Sequence, residues 1–270
     1  MEAIKDVEYG RASDIPLLLD IYIPETPIAS PIPAIVFIHG GGWKDGDKGS
    51  ELYIRKFSYL AKHGFFVVSI NYRLSGVAPF PAAVEDSKCA VRWLRANAEK
   101  YNVDPQRIGV AGGSSGGHLA LMVGCVDKTA GLEGNGGWEE FSSQVQAVVS
   151  YYGHSDFNSY EVSGAVILFL GGTTDEIPDT YVLASPITHV KAGNPPLLLI
   201  HGELDPKVPY NQSEEMYQAY QQAGLETELI KVSAAGHGFR PAGETPISPS
   251  LDEIEQIRLD FFVEHLVLVK

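Results

Sequence analysis

The segment Gly112-Gly113-Ser114-Ser115-Gly116-Gly117 joins an apolar β-type run, Arg107 to Ala111, to a helical run, His118 to Val123, with nothing else between them. A chain that passes from strand to helix this abruptly holds its apex residue at strained backbone angles. Strand and helix also come so close that side chains beside the apex would collide, which is why glycines flank it. Such a turn lifts the apex side chain above the edge of a sheet. It constrains the fold to one with a strand, a tight turn and a helix at its centre, and it presents a serine hydroxyl. Ser114 and Ser115 both satisfy Gly-x-Ser-x-Gly, so the residues alone leave two candidate nucleophiles.

A glycine-serine cluster can also be a linker or a phosphate loop, and three further features decide against that. His39-Gly40-Gly41-Gly42-Trp43 follows the apolar run Ala34 to Ile38; consecutive glycines let backbone N–H groups turn toward a substrate oxygen instead of pairing in a sheet. The buried-strand pattern Leu197 to His201 is followed by a loop with two acids, Glu203 and Asp205. The late strand pattern Thr227 to Val232 is followed by a loop with one histidine, His237. Serine, acid and histidine thus occur in that order, each just after a strand, where an open α/β sheet assembles its site.

Leu17 to Ile23, Ala34 to Ile38, Phe65 to Ile70, Arg107 to Ala111, Val145 to Ser150, Leu197 to His201 and Thr227 to Val232 are short apolar runs, the first read as an antiparallel strand and the others as buried parallel ones. Helical patterns fall at about 50–62, 81–100, 115–125, 209–223 and 250–267. The alternation predicts an α/β fold, a doubly wound sheet with helices on both faces, in one domain over 1–270. About fifteen residues precede the first strand in this reading, so any cap over the site is small. A flap or cap is expected within 127–186. Its glycine-rich part, Asp127 to Ser143, carries Trp138, which either covers the site or packs against an edge of the core. Trp43, Trp138 and Phe157 are the aromatic candidates for substrate binding.

The chain resembles the α/β-hydrolase esterases, in the branch that holds hormone-sensitive-lipase-like enzymes and bacterial acetylxylan and feruloyl esterases. The resemblance spans nearly the whole chain and rests on HGGGW at 39–43, Asn71-Tyr72-Arg73-Leu74, Phe80 to Asp86, Asp104 to Ile108, GGSSGGHLA at 112–120, and the acid and histidine loops. It implies a mostly parallel eight-stranded sheet and hydrolysis of short acyl or hydroxycinnamoyl esters, feruloyl or acetyl, through an acyl-enzyme. Aligning the last glycine pair and Leu-Ala with the family implies Ser114 as nucleophile. The pattern Asp-x-x-Val-Pro implies Asp205 rather than Glu203 as the acid, with His237 as base. Backbone N–H groups of Gly41, Gly42 and Ser115 would form the oxyanion hole. Two departures stand out: a second serine where most relatives have alanine, and Ser75-Gly76-Val77-Ala78 where lipase-like relatives often read Ala-Pro-Glu. An amide or peptide hydrolase is the alternative enzyme, since the same triad cleaves both bonds, and a non-catalytic ligand-binding module on this scaffold is the other.

With 20 basic against 34 acidic residues and a net charge of −14, the chain has no basic face for nucleic acid or an anionic membrane. No apolar stretch approaches the roughly 20 residues of a membrane span, and the N-terminus lacks a signal-type apolar stretch, so the expectation is cytoplasmic, although a mature secreted chain would read the same. Cys89 and Cys125 read as small buried groups. No Cys/His cluster has zinc spacing, and neither metal nor cofactor is expected. The expected partner is a small-molecule or saccharide-linked ester; oligomeric state is not legible.

Overall fold

The computed structural model describes residues 2–24 and 30–267. Its centre is one eight-stranded sheet. The strands are β1 (Glu2–Ala12), β2 (Ile15–Ile23), β3 (Ile32–Ile38), β4 (Phe66–Ile70), β5 (Val103–Gly113), β6 (Ala147–Tyr151), β7 (Leu197–Gly202) and β8 (Thr227–Val232), in the spatial order β1-β2-β4-β3-β5-β6-β7-β8. β1 pairs with β2 and β2 with β4 antiparallel, and every later pairing is parallel. This is the expected α/β, mostly parallel, doubly wound sheet.

The middle strands are apolar on both faces because helices cover both. Ala34, Val36 and Ile38 of β3 join one core layer; Ile35 and Phe37, pointing oppositely, join the other. The first layer is closed by α2 (Ala82–Ala96), α3 (Ser115–Cys125) and α6 (Asn211–Gln222), which contribute Val84, Leu119 and Met216. The second is closed by α1 (Glu51–Lys62) and α7 (Leu251–Leu266), through Phe57 and Phe262. Between β6 and β7 lie two short helices, α4 (Gly164–Leu170) and α5 (Pro178–Ala184).

Two expectations are corrected. The residues before Leu17 are not a lead-in but a strand: β1 is an edge strand, mostly exposed, with register shifts between Ile4 and Val7 and between Glu8 and Gly10. Each shift reverses which residues face inward, and so erases the period-two pattern that marks a strand. The stretch Asp127 to Ser143 is not a flap over the site. Trp138 donates its indole N–H to the Tyr9 carbonyl at 2.8 Å, and Arg11 N–H donates to Gly136 at 2.9 Å, so the loop lies along β1. Lys88 and Arg92 of α2 reach Glu133 at 2.6 and 3.0 Å. The loop seals α2, and two cations on what would be its solvent face become almost fully buried.

Candidate active site

Ser114, Asp205, His237 and the glycine loop all lie at the carboxyl ends of the parallel strands. Ser114 follows β5 with φ 57° and ψ −122°, the strained apex the glycines announce. The close approach is literal: a Cβ on Gly116 would sit 2.2 Å from the Ile38 carbonyl oxygen, so only glycine lets α3 start against β3. Ser114 is half-buried, whereas Ser115 has no exposed surface. Of the two serines, only Ser114 offers its hydroxyl to the groove.

That hydroxyl lies 3.1 Å from Nε2 of His237, whose Nδ1 lies 2.7 Å from Oδ2 of Asp205. The Asp205 side chain is fully buried. Burial alone would raise its pKa, but His201, His237 and the Val208 N–H all favour the anion and hold it well below the usual carboxylate range. Its other oxygen, Oδ1, accepts from the N–H groups of Lys207 and Val208 at 2.8 and 3.0 Å. With an ionised acid on Nδ1, the imidazole carries its proton there and turns a free lone pair toward the serine. Glu203 points elsewhere, pairing with Lys231 at 3.3 Å.

The glycine loop after β3 is fastened from several directions. Gly40 N–H donates to the Tyr53 hydroxyl at 3.1 Å, His39 Nδ1 donates to the Gly40 carbonyl at 2.8 Å, and the Tyr72 hydroxyl donates to the His39 carbonyl at 3.1 Å. Gly41 takes φ 136°, a conformation other residues resist. The N–H groups of Gly41, Gly42 and Ser115 donate to no group among the described residues, which leaves them available to an oxyanion.

The aromatic candidates divide. Trp43 borders the groove but is 1% exposed: it stacks on Phe169 at 4.4 Å and donates its indole N–H to Nδ1 of His118 at 3.3 Å. His118 in turn gives its Nε2 proton to the Ala184 carbonyl at 2.8 Å, and burial pushes its pKa down to about 4, so it stays neutral. Trp43 thus ties the glycine loop to α3. Phe157 does not line the groove; it packs behind Trp43, with ring centroids 5.9 Å apart. Trp138 is on the far side of α2, against β1, and is corrected with its loop.

Sequence reasoning missed three supports. Tyr152, at φ 41° just past β6, sets its ring edge-on to His237 at 4.8 Å. His201, read only as a residue of a buried strand, holds the Val208 carbonyl at 3.0 Å and approaches Asp205 at 3.5 Å. Tyr53 comes from α1. Position immediately after a parallel strand could have flagged Tyr152; nothing local could have flagged Tyr53. Among the described residues, no three His, Cys, Asp or Glu side chains are grouped so as to hold a metal.

A strained serine at a strand-helix turn, a histidine and acid in hydrogen-bonded series, and a free-donor glycine loop on this sheet define an α/β-hydrolase. Residues 19–220 match the BD-FAE family model, and the chain belongs to that family. It is 30% identical over 264 residues to a probable carboxylic ester hydrolase, LipM, of Mycobacterium tuberculosis, covering 94% of this chain and 60% of that protein. The chain therefore spans about three fifths of that relative's length. Among solved structures, a truncated carbohydrate esterase from gut microbiota superposes with a TM-score of 0.87 at 32% identity, covering 98% of this chain and 96% of the other. A propionate-bound esterase, Est2, of Thermogutta terrifontis does so at 0.82 with 28% identity, covering 98% and 96%.

Proposed function

We propose that the protein hydrolyses carboxylic esters through an acyl-enzyme, with Ser114 as nucleophile, His237 as general base and then acid, and Asp205 as the group that fixes and stabilises the imidazole. The carrying observation is the unbroken series Ser114 Oγ, His237 Nε2 at 3.1 Å, His237 Nδ1, Asp205 Oδ2 at 2.7 Å. As Ser114 attacks the ester carbonyl its proton passes to Nε2, and the imidazolium is balanced by Asp205. The oxyanion is held by the N–H groups of Gly41, Gly42 and Ser115, a single such donor being worth about 10²- to 10³-fold in rate. The proton then leaves with the alcohol, and water repeats the sequence to release the acid.

Short acyl or hydroxycinnamoyl esters on saccharides are the substrates this reading favours. Two things support it: an open groove of about 1080 Å³ above Ser114, and the carbohydrate esterase among the structural neighbours. The test is a panel of acetyl, butyryl, octanoyl and feruloyl esters with the native protein and Ser114→Ala. Native turnover, lost by about four to six orders of magnitude in the variant, is expected. Undiminished hydrolysis in Ser114→Ala would overturn the assignment.

A further inference from the structure

His154 is a buried imidazole that the chemistry above does not use, yet it borders the same groove. It follows β6 by three residues and is 7% exposed. One ring face meets Trp43, centroids 5.1 Å apart, and the ring lies nearly parallel to Tyr160. Its Nδ1 is hydrogen-bonded to the Tyr160 hydroxyl. Its Nε2 bonds to no group among the described residues and, unlike the sealed and partnerless Nε2 of His39, is not closed off from solvent. A polar atom on a groove-lining ring that is held by a hydrogen bond on its other nitrogen and by aromatic neighbours, with hydrogen-bond capacity still unused, is suited to meet something polar there.

We propose that His154 Nε2 reads a hydroxyl group of the substrate, so that the site prefers esters whose alcohol part is polyhydroxylated, such as a sugar, over ring alcohols lacking hydroxyls. The inference rests on the ester-hydrolase reading above and adds to it the residue that selects the substrate. Burial disfavours the imidazolium and keeps His154 neutral, which suits a hydroxyl, able to donate or accept, better than a carboxylate. The Tyr160 hydroxyl fixes the ring orientation from behind, so Tyr160 is a positioning residue and His154 the one in contact.

The experiment compares kcat/KM for the acetyl ester of a methyl pentopyranoside with that for tetrahydropyranyl acetate, which keeps the ring and lacks the hydroxyls. The readout is the ratio of the two. In His154→Phe the ratio should fall roughly tenfold, about the worth of one neutral hydrogen bond. His154→Gln should recover part of it, and Tyr160→Phe should lower it by a smaller factor. A merely structural role would reduce both esters alike and leave the ratio unchanged; that result in a folded His154→Phe overturns the proposal. If that variant does not fold, an unchanged ratio in Tyr160→Phe does so instead. Native protein that cleaves neither of these esters nor any ester of the panel above would remove the ester-hydrolase reading itself, and this inference with it; native protein that turns over the panel but neither of these two, or cleavage of both with an unmoved ratio, removes the inference alone.

Discussion

Single residues at this site are held by neighbours that have little chemistry of their own. Asp205 spends both oxygens on imidazoles and backbone N–H groups, so Asp205→Asn keeps the shape and presents the wrong hydrogen-bonding partner to His237. We expect kcat to fall by about 10³- to 10⁴-fold with little loss of thermal stability, measured with p-nitrophenyl acetate and by Tm. Gly116→Ala acts oppositely: its Cβ would lie 2.2 Å from a backbone oxygen, so the variant should lose activity because the fold is lost, seen as a collapse of soluble, cooperatively melting protein. The buried histidines set a pH limit. His39, His118 and His154 are all pushed below 6.5 by burial, His118 to about 4. Unfolded, they would titrate near 6.5, so as pH drops the unfolded chain binds the extra protons and stability falls; above that pH these groups contribute no slope. His118 alone should remove about 3 kcal/mol between pH 6.5 and 4, more than half of it above pH 5, where urea unfolding at stepped pH registers it ahead of most carboxylates. A flat stability profile across that window would contradict the neutral, buried state described for these rings.

At the scale of elements, tertiary contacts decided what local pattern could not. Arg73, just past β4, places its guanidinium on Asp86 of α2 at 2.8 Å, and Arg73 N–H donates to the same carboxylate at 2.8 Å. Asp86 is 1% exposed and takes most of the guanidinium's hydrogen bonds, so Asp86→Ala leaves Arg73 only Glu85 at 3.1 Å and the Ala82 carbonyl at 3.3 Å and should cost about 2–3 kcal/mol in chemical unfolding. β3, β5, β7 and α3 were legible because apolar runs and flanking glycines carry the same message locally as in the fold. β1 was not, since its bulges break the alternation, and neither were α4 and α5, whose seven residues each are too few to show a helical period. The loop around Trp138 misled for a plain reason: glycines read as freedom, while the anchors that remove it, Lys88, Arg92 and Tyr9, lie tens of residues away. Ser114, Asp205 and His237, which the structure brings into hydrogen-bonded series, and the glycine loop could be named from sequence because each sits at a strand end in a motif. Tyr53 and His154 belong to no motif and are brought in by packing, and Tyr152 has only its place directly after β6 to mark it.

The molecule as a whole carries a net charge of −14, and self-repulsion at that charge opposes the compact state. Raising ionic strength from about 0.02 to 0.3 M, which shortens the screening length from roughly 20 Å to below 10 Å, should raise Tm by a few degrees; a falling Tm would mean that attractive ion pairs such as Arg73–Asp86 dominate instead. The sheet divides labour along its length: the antiparallel end with β1 is sealed by the anchored Trp138 loop, while the carboxyl ends of the parallel strands stay open. One side of that opening is formed by Glu161, Val162, Ser163 and Ala165, and Ala165 stands where a Cβ on Gly42 would lie 3.5 Å from its own. This short sill contributes no group to the proposed bond-breaking steps, yet it neighbours the loop that would cradle the negative oxygen. It is therefore the natural place to retune which acyl or sugar sizes are admitted, by trading side chains along a doorstep and leaving the hearth alone.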